Sequence, residues 1–283
     1  MSAPLEGGLP ACLPLTSGMM AHVSGIYDEP ELYQLACAYR DVPAEVSALL
    51  RWCAKHGGEG LRVRSVLESA AGPAEHAREF ARRGLRSTAL DWSAAMCAFA
   101  SARAKAEGVE LNVVEADMRN FSLPDRFDLA VTMLNSLCHM FTLDDLVAHL
   151  TAVGAHLVPG GLYIAELAHP ADYLGHVPRT SNEWTVERGG VRAEVRWGGH
   201  QDRIDPISQI TAEHMNITAH SADGTVRTVS DVVPNRFWTA TELTAAIRLA
   251  GGFEVAASYG DFDDTTMLDD ATAWRMILIL RHE

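Results

Sequence analysis

Three carboxylates close successive short apolar runs, at a spacing that suits a repeating strand-helix unit. Glu68 ends Ser65-Val-Leu-Glu, Asp91 follows 23 residues later in Thr88-Ala-Leu-Asp-Trp, and Asp117 another 26 on in Val114-Glu-Ala-Asp-Met. In an open sheet such strand ends share one edge, where acids accept ribose hydroxyls and small residues let backbone approach a ligand. Beyond Glu68 the chain bends through Ser69-Ala-Ala-Gly-Pro-Ala74 and opens a helix, so a nucleotide-like ligand could sit there. Gly72 is the one glycine in this bend, and the Gly-x-Gly-x-x-Gly fingerprint that seats a pyrophosphate is missing. A pyrophosphate site is therefore disfavoured.

The elements that would position these acids alternate along the chain. The apolar pattern predicts strands over 63–68, 87–91, 110–115, 127–133 and 162–167, with helices over 75–83, 94–107 and 143–157, which argues a parallel sheet covered on both faces. Two amphipathic helices precede the first strand, with a break near Pro43. After Pro170 the pattern changes to antiparallel strands within 183–233, read from Val191, Ala193, Val195 and Trp197 and from Ile210, Ala212, His214, Asn216 and Thr218, with a hairpin turn at Ala222-Asp-Gly224. A helix over 240–250, capped by Gly251-Gly252, and strands over 253–259 and 274–280 end the pattern.

Composition narrows the function. With 23 Lys and Arg against 37 Asp and Glu, the formal charge of -14 repels a phosphate backbone, so nucleic acid is not an expected partner. Five cysteines, without a Cys-x-x-Cys pair, suggest neither a disulfide frame nor a zinc site, and a reducing cytoplasm is the simplest home. The first 20 residues lack a basic leader and contain three prolines; no run reaches the apolar length of a membrane helix, so no membrane partner is expected.

The ordered motifs resemble class I S-adenosylmethionine-dependent methyltransferases of the small-molecule type. Glu68-Ser-Ala-Ala-Gly-Pro-Ala74 looks like their acidic-x-Gly-x-Gly-x-Gly motif with alanine for the first and third glycines. Leu90-Asp-Trp-Ser-Ala-Ala-Met96, Ala116-Asp-Met118, Phe127-Asp-Leu-Ala-Val-Thr-Met-Leu-Asn-Ser-Leu137 and Leu157-Val-Pro-Gly-Gly-Leu-Tyr-Ile-Ala-Glu166 resemble the next four, over roughly residues 62–170. The resemblance implies an α/β fold: a Rossmann-like, seven-stranded, mostly parallel sheet with helices on both faces, plus an inserted antiparallel β cap. It divides the chain into an N-terminal tail and lid helices (1–60), a cofactor-binding core (61–170), a cap insertion (171–238), and a final helix with two strands that complete the sheet (239–283).

The implied cofactor is S-adenosyl-L-methionine. Glu68, Ala70 and Gly72 would meet its amino acid portion, Asp91 its ribose, and Asp117 and Met118 its adenine. Trp92 and Met96 would wall the adenosine, with Leu134 after the fourth strand. Tyr27 or Tyr33 could face the sulfonium, and Arg40 could fork onto the cofactor carboxylate. Each acid also reads as a strand end or helix cap, and Arg40 as an ion-pair partner of Asp41 or Glu45.

Methyl transfer needs alignment above all. Where the acceptor is a hydroxyl or ammonium it also needs a base, and Asn135, His139 and His169 stand at the sheet edge as candidate catalytic residues, either histidine being able to take a proton near neutral pH. No Asn/Asp-Pro-Pro-aromatic run follows the fourth strand, so the expected reaction is methylation of an oxygen or nitrogen of a small-molecule acceptor. Intramolecular cyclisation or elimination of the sulfonium, and a non-catalytic ligand-binding domain, are the alternatives. The cap leaves room for a homodimer.

Overall fold

The computed structural model describes residues 25–174 and 182–283. The expected N-terminal tail of the first 20 residues lies outside the described residues. A 3₁₀ turn at Ile26–Asp28 leads into α1 (Pro30–Ala36) and α2 (Val42–His56). Pro30 and Pro43 each occupy the first turn of a helix, where a missing N–H costs nothing. The break between the helices therefore falls before Pro43, at residues 37–41, and Asp41 caps α2 by accepting the Ala44 N–H at 3.0 Å.

The alternating unit follows as β1 (Ser65–Ser69), α3 (Glu75–Arg82), β2 (Arg86–Asp91), α4 (Ala94–Glu107), β3 (Leu111–Glu115), β4 (Phe127–Thr132), α5 (Leu143–Ala155) and β5 (Leu157–Ala168). A single turn, α6 (Ala171–Leu174), precedes β6 (Asn182–Arg188), β7 (Val191–Trp197), β8 (Ile210–Ser221) and β9 (Val226–Arg236). The chain ends with α7 (Ala240–Ala250), β10 (Phe253–Tyr259) and β11 (Arg275–His282). The seven-stranded sheet runs β10-β11-β5-β4-β1-β2-β3, with β11 antiparallel to both neighbours and the rest of the ladder parallel. Strands β6, β7, β8 and β9 form a separate antiparallel sheet in chain order.

The parallel strands are apolar on both faces because helices cover both. On β5, Tyr163, Ala165 and Leu167 join Leu146, Leu150 and Val153 of α5 and Leu243 and Ile247 of α7, while Leu162 and Ile164 point the other way, to Val46, Leu49 and Trp52 of α2. Strand β5 starts at Leu157, five residues before the sequence pattern predicts, because Gly160 and Gly161 continue the strand. Gly58 donates its N–H to the Gly160 carbonyl at 2.8 Å, and a Cβ on Gly58 would lie 2.7 Å from the Gly160 Cα.

The antiparallel sheet has its own core. Ile26, Leu32 and Ala36 pack on Val186, Ala193, Val195, Met215, Ile217 and Ala219, so the first helix leans on the cap sheet. That packing sets the phase of β8. The residues facing inward are Thr211, Glu213, Met215, Ile217 and Ala219, the opposite set from the Ile210, Ala212 and His214 on which the sequence pattern rests. The alternation predicts the strand, and the apolar run Met215, Ile217 and Ala219 packed on the first helix fixes which of its faces turns inward.

Truncation of Ile164, fully buried on the central β5, should lower unfolding free energy by about 2–5 kcal/mol in urea titrations, from lost transfer energy and a residual cavity. Val226→Ala, at a side chain 56% exposed on β9, should stay within about 0.5 kcal/mol of wild type.

Candidate active site

The bend after β1 is built from left-handed residues in alternation: φ is +51° at Ala70, +52° at Gly72 and +56° at Ala74. An alanine in that region costs roughly 1–2 kcal/mol, so the bend persists only because its surroundings hold it. The Ala71 N–H reaches the Leu90 carbonyl at 3.0 Å, and the Gly72 N–H reaches Asp91 Oδ2 at 2.6 Å. Asp91 Oδ1 accepts the Ser93 N–H at 2.8 Å. Burial pushes the Asp91 carboxyl up, against the pull of those N–H donors. Each carboxylate oxygen keeps an acceptor site beyond its backbone partner.

These elements open onto a cavity of about 850 Å³, lined at one end by Gly72, Asp91, Trp92, Met96, Asp117 and Met118. Ala70, Tyr33 and Leu134 also face it. Trp92 is 70% exposed at the rim, whereas Met96 is buried. Asp117 is paired with Arg119, whose guanidinium lies 2.6 Å from Oδ2 and holds the carboxyl below its usual range.

Glu68 and Arg40 lie elsewhere, along a narrow cleft beneath the bend. Glu68 Oε2 caps α3 by accepting the Ala77 N–H at 2.7 Å, and Oε1 lies 3.4 Å from His76 Nδ1. The Arg40 fork is not open to a ligand carboxylate. Nη1 meets Glu166 Oε1 at 2.6 Å, and Nη2 bridges Glu166 Oε2 and Glu45 Oε2, each at 2.8 Å. Of its two sequence readings, the pair with Glu45 is the one observed, extended by Glu166 from the end of β5.

At the other end of the cavity the chain leaves β4 through Leu134 and Asn135, both left-handed with φ of +56° and +63°. Glu166 Oε2 accepts the Leu134 N–H at 3.0 Å, and Asn135 Oδ1 accepts the Ala168 N–H at 3.0 Å, so the Asn135 oxygen joins the two strand ends. The 3₁₀ turn at Ser136–His139 then presents His139 to the cavity. Its Nε2 lies 3.0 Å from the Tyr27 hydroxyl, with the rings edge to face. Burial lowers the His139 imidazole and raises the Tyr27 phenol. At neutral pH the phenol therefore donates to an uncharged imidazole.

His169 does not join this group. Its Nδ1 accepts the Ala171 N–H at 3.1 Å and its Nε2 donates to the Leu268 carbonyl at 2.9 Å, so both ring nitrogens are engaged outside the cavity lining. Of the two histidines, His139 lines the cavity and His169 does not. The cap adds Tyr173, Trp184, Trp197, Glu213 and Asn235 to the lining. Glu213 and Asn235 were not singled out from the sequence; the phase of β8, set by Met215, Ile217 and Ala219, was the signal available for the former. No group of three or more metal-ligating side chains that could hold an ion occurs among the described residues.

Comparison with known proteins agrees with this geometry. Residues 66–161 match the family model described as a methyltransferase domain. A dTDP-3-amino-3,6-dideoxy-alpha-D-glucopyranose N,N-dimethyltransferase from Streptomyces fradiae is 27% identical over 246 residues, covering 83% of this chain and 91% of the relative. The DesVI crystal structure from Streptomyces venezuelae superposes with a TM-score of 0.72 at 22% identity, over 88% of this chain and 97% of that one. CalS10 of Micromonospora echinaspora, an amino pentose methyltransferase solved with S-adenosylmethionine bound, superposes at 0.68 with 21% identity, over 89% and 97%. Residues 66–161 are thus a methyltransferase domain, and the chain has the Rossmann-like fold of S-adenosylmethionine-dependent methyltransferases.

Beneath the bend, burial disfavours the His76 imidazolium, but hydrogen bonds to Glu45 and Glu68 outweigh it and hold the group up at about 9. A raised folded-state value stabilises the fold fully below the unfolded value of about 6.5, and that contribution disappears as pH rises through 9. Urea unfolding should therefore show a loss of order 3 kcal/mol between pH 6.5 and 9.5 that His76→Gln abolishes. Parallel curves for the two proteins would show that the imidazole carries no such linkage.

Proposed function

We propose that this enzyme methylates an amine nitrogen of a sugar-like small molecule, with Tyr27 and His139 as the proton relay. The observation that carries the reading is the 3.0 Å contact between the Tyr27 hydroxyl and His139 Nε2, which faces the same cavity as the Asp91 carboxylate. Support for an amine and for a sugar comes from the relatives, which are named for N,N-dimethylation of a dTDP-linked amino sugar and for methylation of an amino pentose.

The adenosine end of the cavity fits the cofactor. Asp91 offers two oxygens with spare acceptor sites to ribose hydroxyls, Met96, Leu90 and Met118 give an apolar bed for adenine, and Trp92 flanks the rim. Tyr27 and Tyr33, with ring centroids 5.7 Å apart, offer aromatic faces to a sulfonium. Glu68 acts one layer back, holding α3 under the bend. Arg40 likewise fixes the lid helices instead of touching the ligand.

Bound there, S-adenosylmethionine would supply an electrophilic methyl group to the acceptor nitrogen, with S-adenosylhomocysteine as the leaving group. The nitrogen must be neutral to attack. Tyr27 takes the ammonium proton on its oxygen while its own proton passes to His139 Nε2, and a neutral imidazole is ready for this because burial keeps it below its ordinary range. Asn135 fixes the ends of β4 and β5 and so holds the His139 turn in place. The antiparallel sheet covers the acceptor and excludes water.

Asp91→Ala should weaken S-adenosylmethionine about 10- to 100-fold by calorimetry, since it removes a charged hydrogen-bond acceptor. His139→Asn should lower kcat by about 10²–10⁴ with little change in cofactor affinity, and the acid limb of the wild-type kcat profile should lie below pH 6.5. Turnover of S-adenosylmethionine to methylthioadenosine without any acceptor would overturn the methyl-transfer reading in favour of cyclisation or elimination.

A further inference from the structure

The cap side of the cavity holds a carboxylate to which the relay assigns no task. Glu213 lies on the inward face of β8, 7% exposed, and lines the same cavity as Tyr27 and His139. Its Oε2 accepts from Asn235 Nδ2 at 2.5 Å, and its Oε1 from the Tyr173 hydroxyl at 3.4 Å. Both partners are uncharged. Asn235 is itself fixed by the Cys138 thiol, which donates to Oδ1 at 3.1 Å, and Cys138 immediately precedes His139 in the same 3₁₀ turn.

The groups acting on this carboxyl compound the charge problem. Burial pushes it up, foremost, and the Asp202 carboxylate adds to that, while Asn235, Tyr173 and Trp197 offset part of it as donors. Tyr27 and the Cys138 thiol, also acidic groups, feel its charge. Among the described residues no arginine, lysine or histidine forms an ion pair with Glu213, although Arg119, Arg236 and Arg275 are each paired with other acids nearby in the fold. A carboxyl withdrawn from water with neutral donors alone either holds a proton or meets a positive partner, and the side of this one left open to such a partner is the cavity.

We infer that Glu213 is the recognition carboxylate for a cationic amine on the acceptor and selects amines over otherwise identical alcohols. The inference rests on the amine-methylating reading above. The acceptor enters as its ammonium ion and supplies the missing counter-charge. Once one proton has left through Tyr27 to His139, a remaining N–H still donates to Glu213. That hydrogen bond turns the nitrogen lone pair away from the carboxylate and toward the methyl.

The test is calorimetry on wild type, Glu213→Gln and Glu213→Asp, each saturated with S-adenosylhomocysteine. The probes are dTDP-3-amino-3,6-dideoxy-α-D-glucopyranose and its 3-hydroxy counterpart. Wild type should bind the amine about 10- to 100-fold more tightly than the alcohol, and Glu213→Gln, which keeps the shape and the Asn235 and Tyr173 partners, should lose that preference with unchanged S-adenosylhomocysteine affinity. Glu213→Asp should restore part of it. Wild-type affinity for the amine should also fall as pH rises through the amine's own titration, a dependence absent from Glu213→Gln. Retention of the preference in Glu213→Gln overturns the role of this residue and leaves amine methylation standing. Failure of wild type both to bind and to methylate the amino sugar overturns the amine reading, and this inference with it.

Discussion

Glu166 is fully buried at the end of β5, in a place where an isolated carboxylate would be driven to take up a proton. Burial raises it, but Arg40 and Arg275, with the Leu134 N–H, more than reverse the effect and hold it at about 2. The cluster is worth little as net stability, because both charges lose their hydration, yet breaking it would strand a buried ion. Its value lies in what it fixes. Arg40 arrives from the junction of α1 and α2, so the ion pair sets where the N-terminal segment meets the sheet. That segment carries Tyr27 and Tyr33. The Leu134 N–H comes from the left-handed exit of β4, so the same carboxylate also sets the turn that presents His139.

A second buried group continues this pattern under the bend. His76 joins Glu45, which shares Arg40, to Glu68, which caps α3. Helix α2, bend and sheet edge are thus linked by alternating charges in the interior. The strained alanines at 70 and 74 sit directly above this linkage, and the left-handed pair Leu134 and Asn135 sits beside Glu166. Of the five non-glycine residues with positive φ among those described, Ala70, Leu134 and Asn135 line the cavity, Ala74 is buried at the end of the same bend, and Gln209 lies just before β8. Unfavourable backbone persists where buried ion pairs and short hydrogen bonds leave no alternative.

Much of the fold was legible because its signals are local. Strands β4 and β5 are marked by the apolar stretches Leu129-Ala-Val131 and Leu162-Tyr-Ile-Ala165, helix limits at Ala94–Glu107 and Ala240–Ala250 by Ser93, Thr239 and the glycines that follow, and Asp91 ends β2 while Asp117 lies two residues beyond β3. Which face of β8 turns inward is signalled only weakly, by Met215, Ile217 and Ala219. Either phase of that strand carries apolar residues, and the decision came from Ile26, Leu32 and Ala36, which lie far away in sequence. Glu213 was missed for the same reason, since a one-residue slip moves a side chain from solvent to the cavity. His139 and His169 were equivalent candidates in sequence, each just beyond a strand end; only their partners in space separate them.

The sequence alone determined the alternation of strands and helices, the acids along one sheet edge and the shortened glycine bend, since each depends on residues within a few positions of one another and on the periods of helix and strand. The tertiary structure alone decided which charged groups line the cavity and which are paired inside the protein. Arg40 and Glu68 became scaffold, His139 was placed against Tyr27, and Glu213 was turned inward. Those outcomes depend on pairings between residues as distant as Arg40 and Glu166, whose energies exist only after desolvation, and no local pattern in the chain encodes the burial that makes them strong.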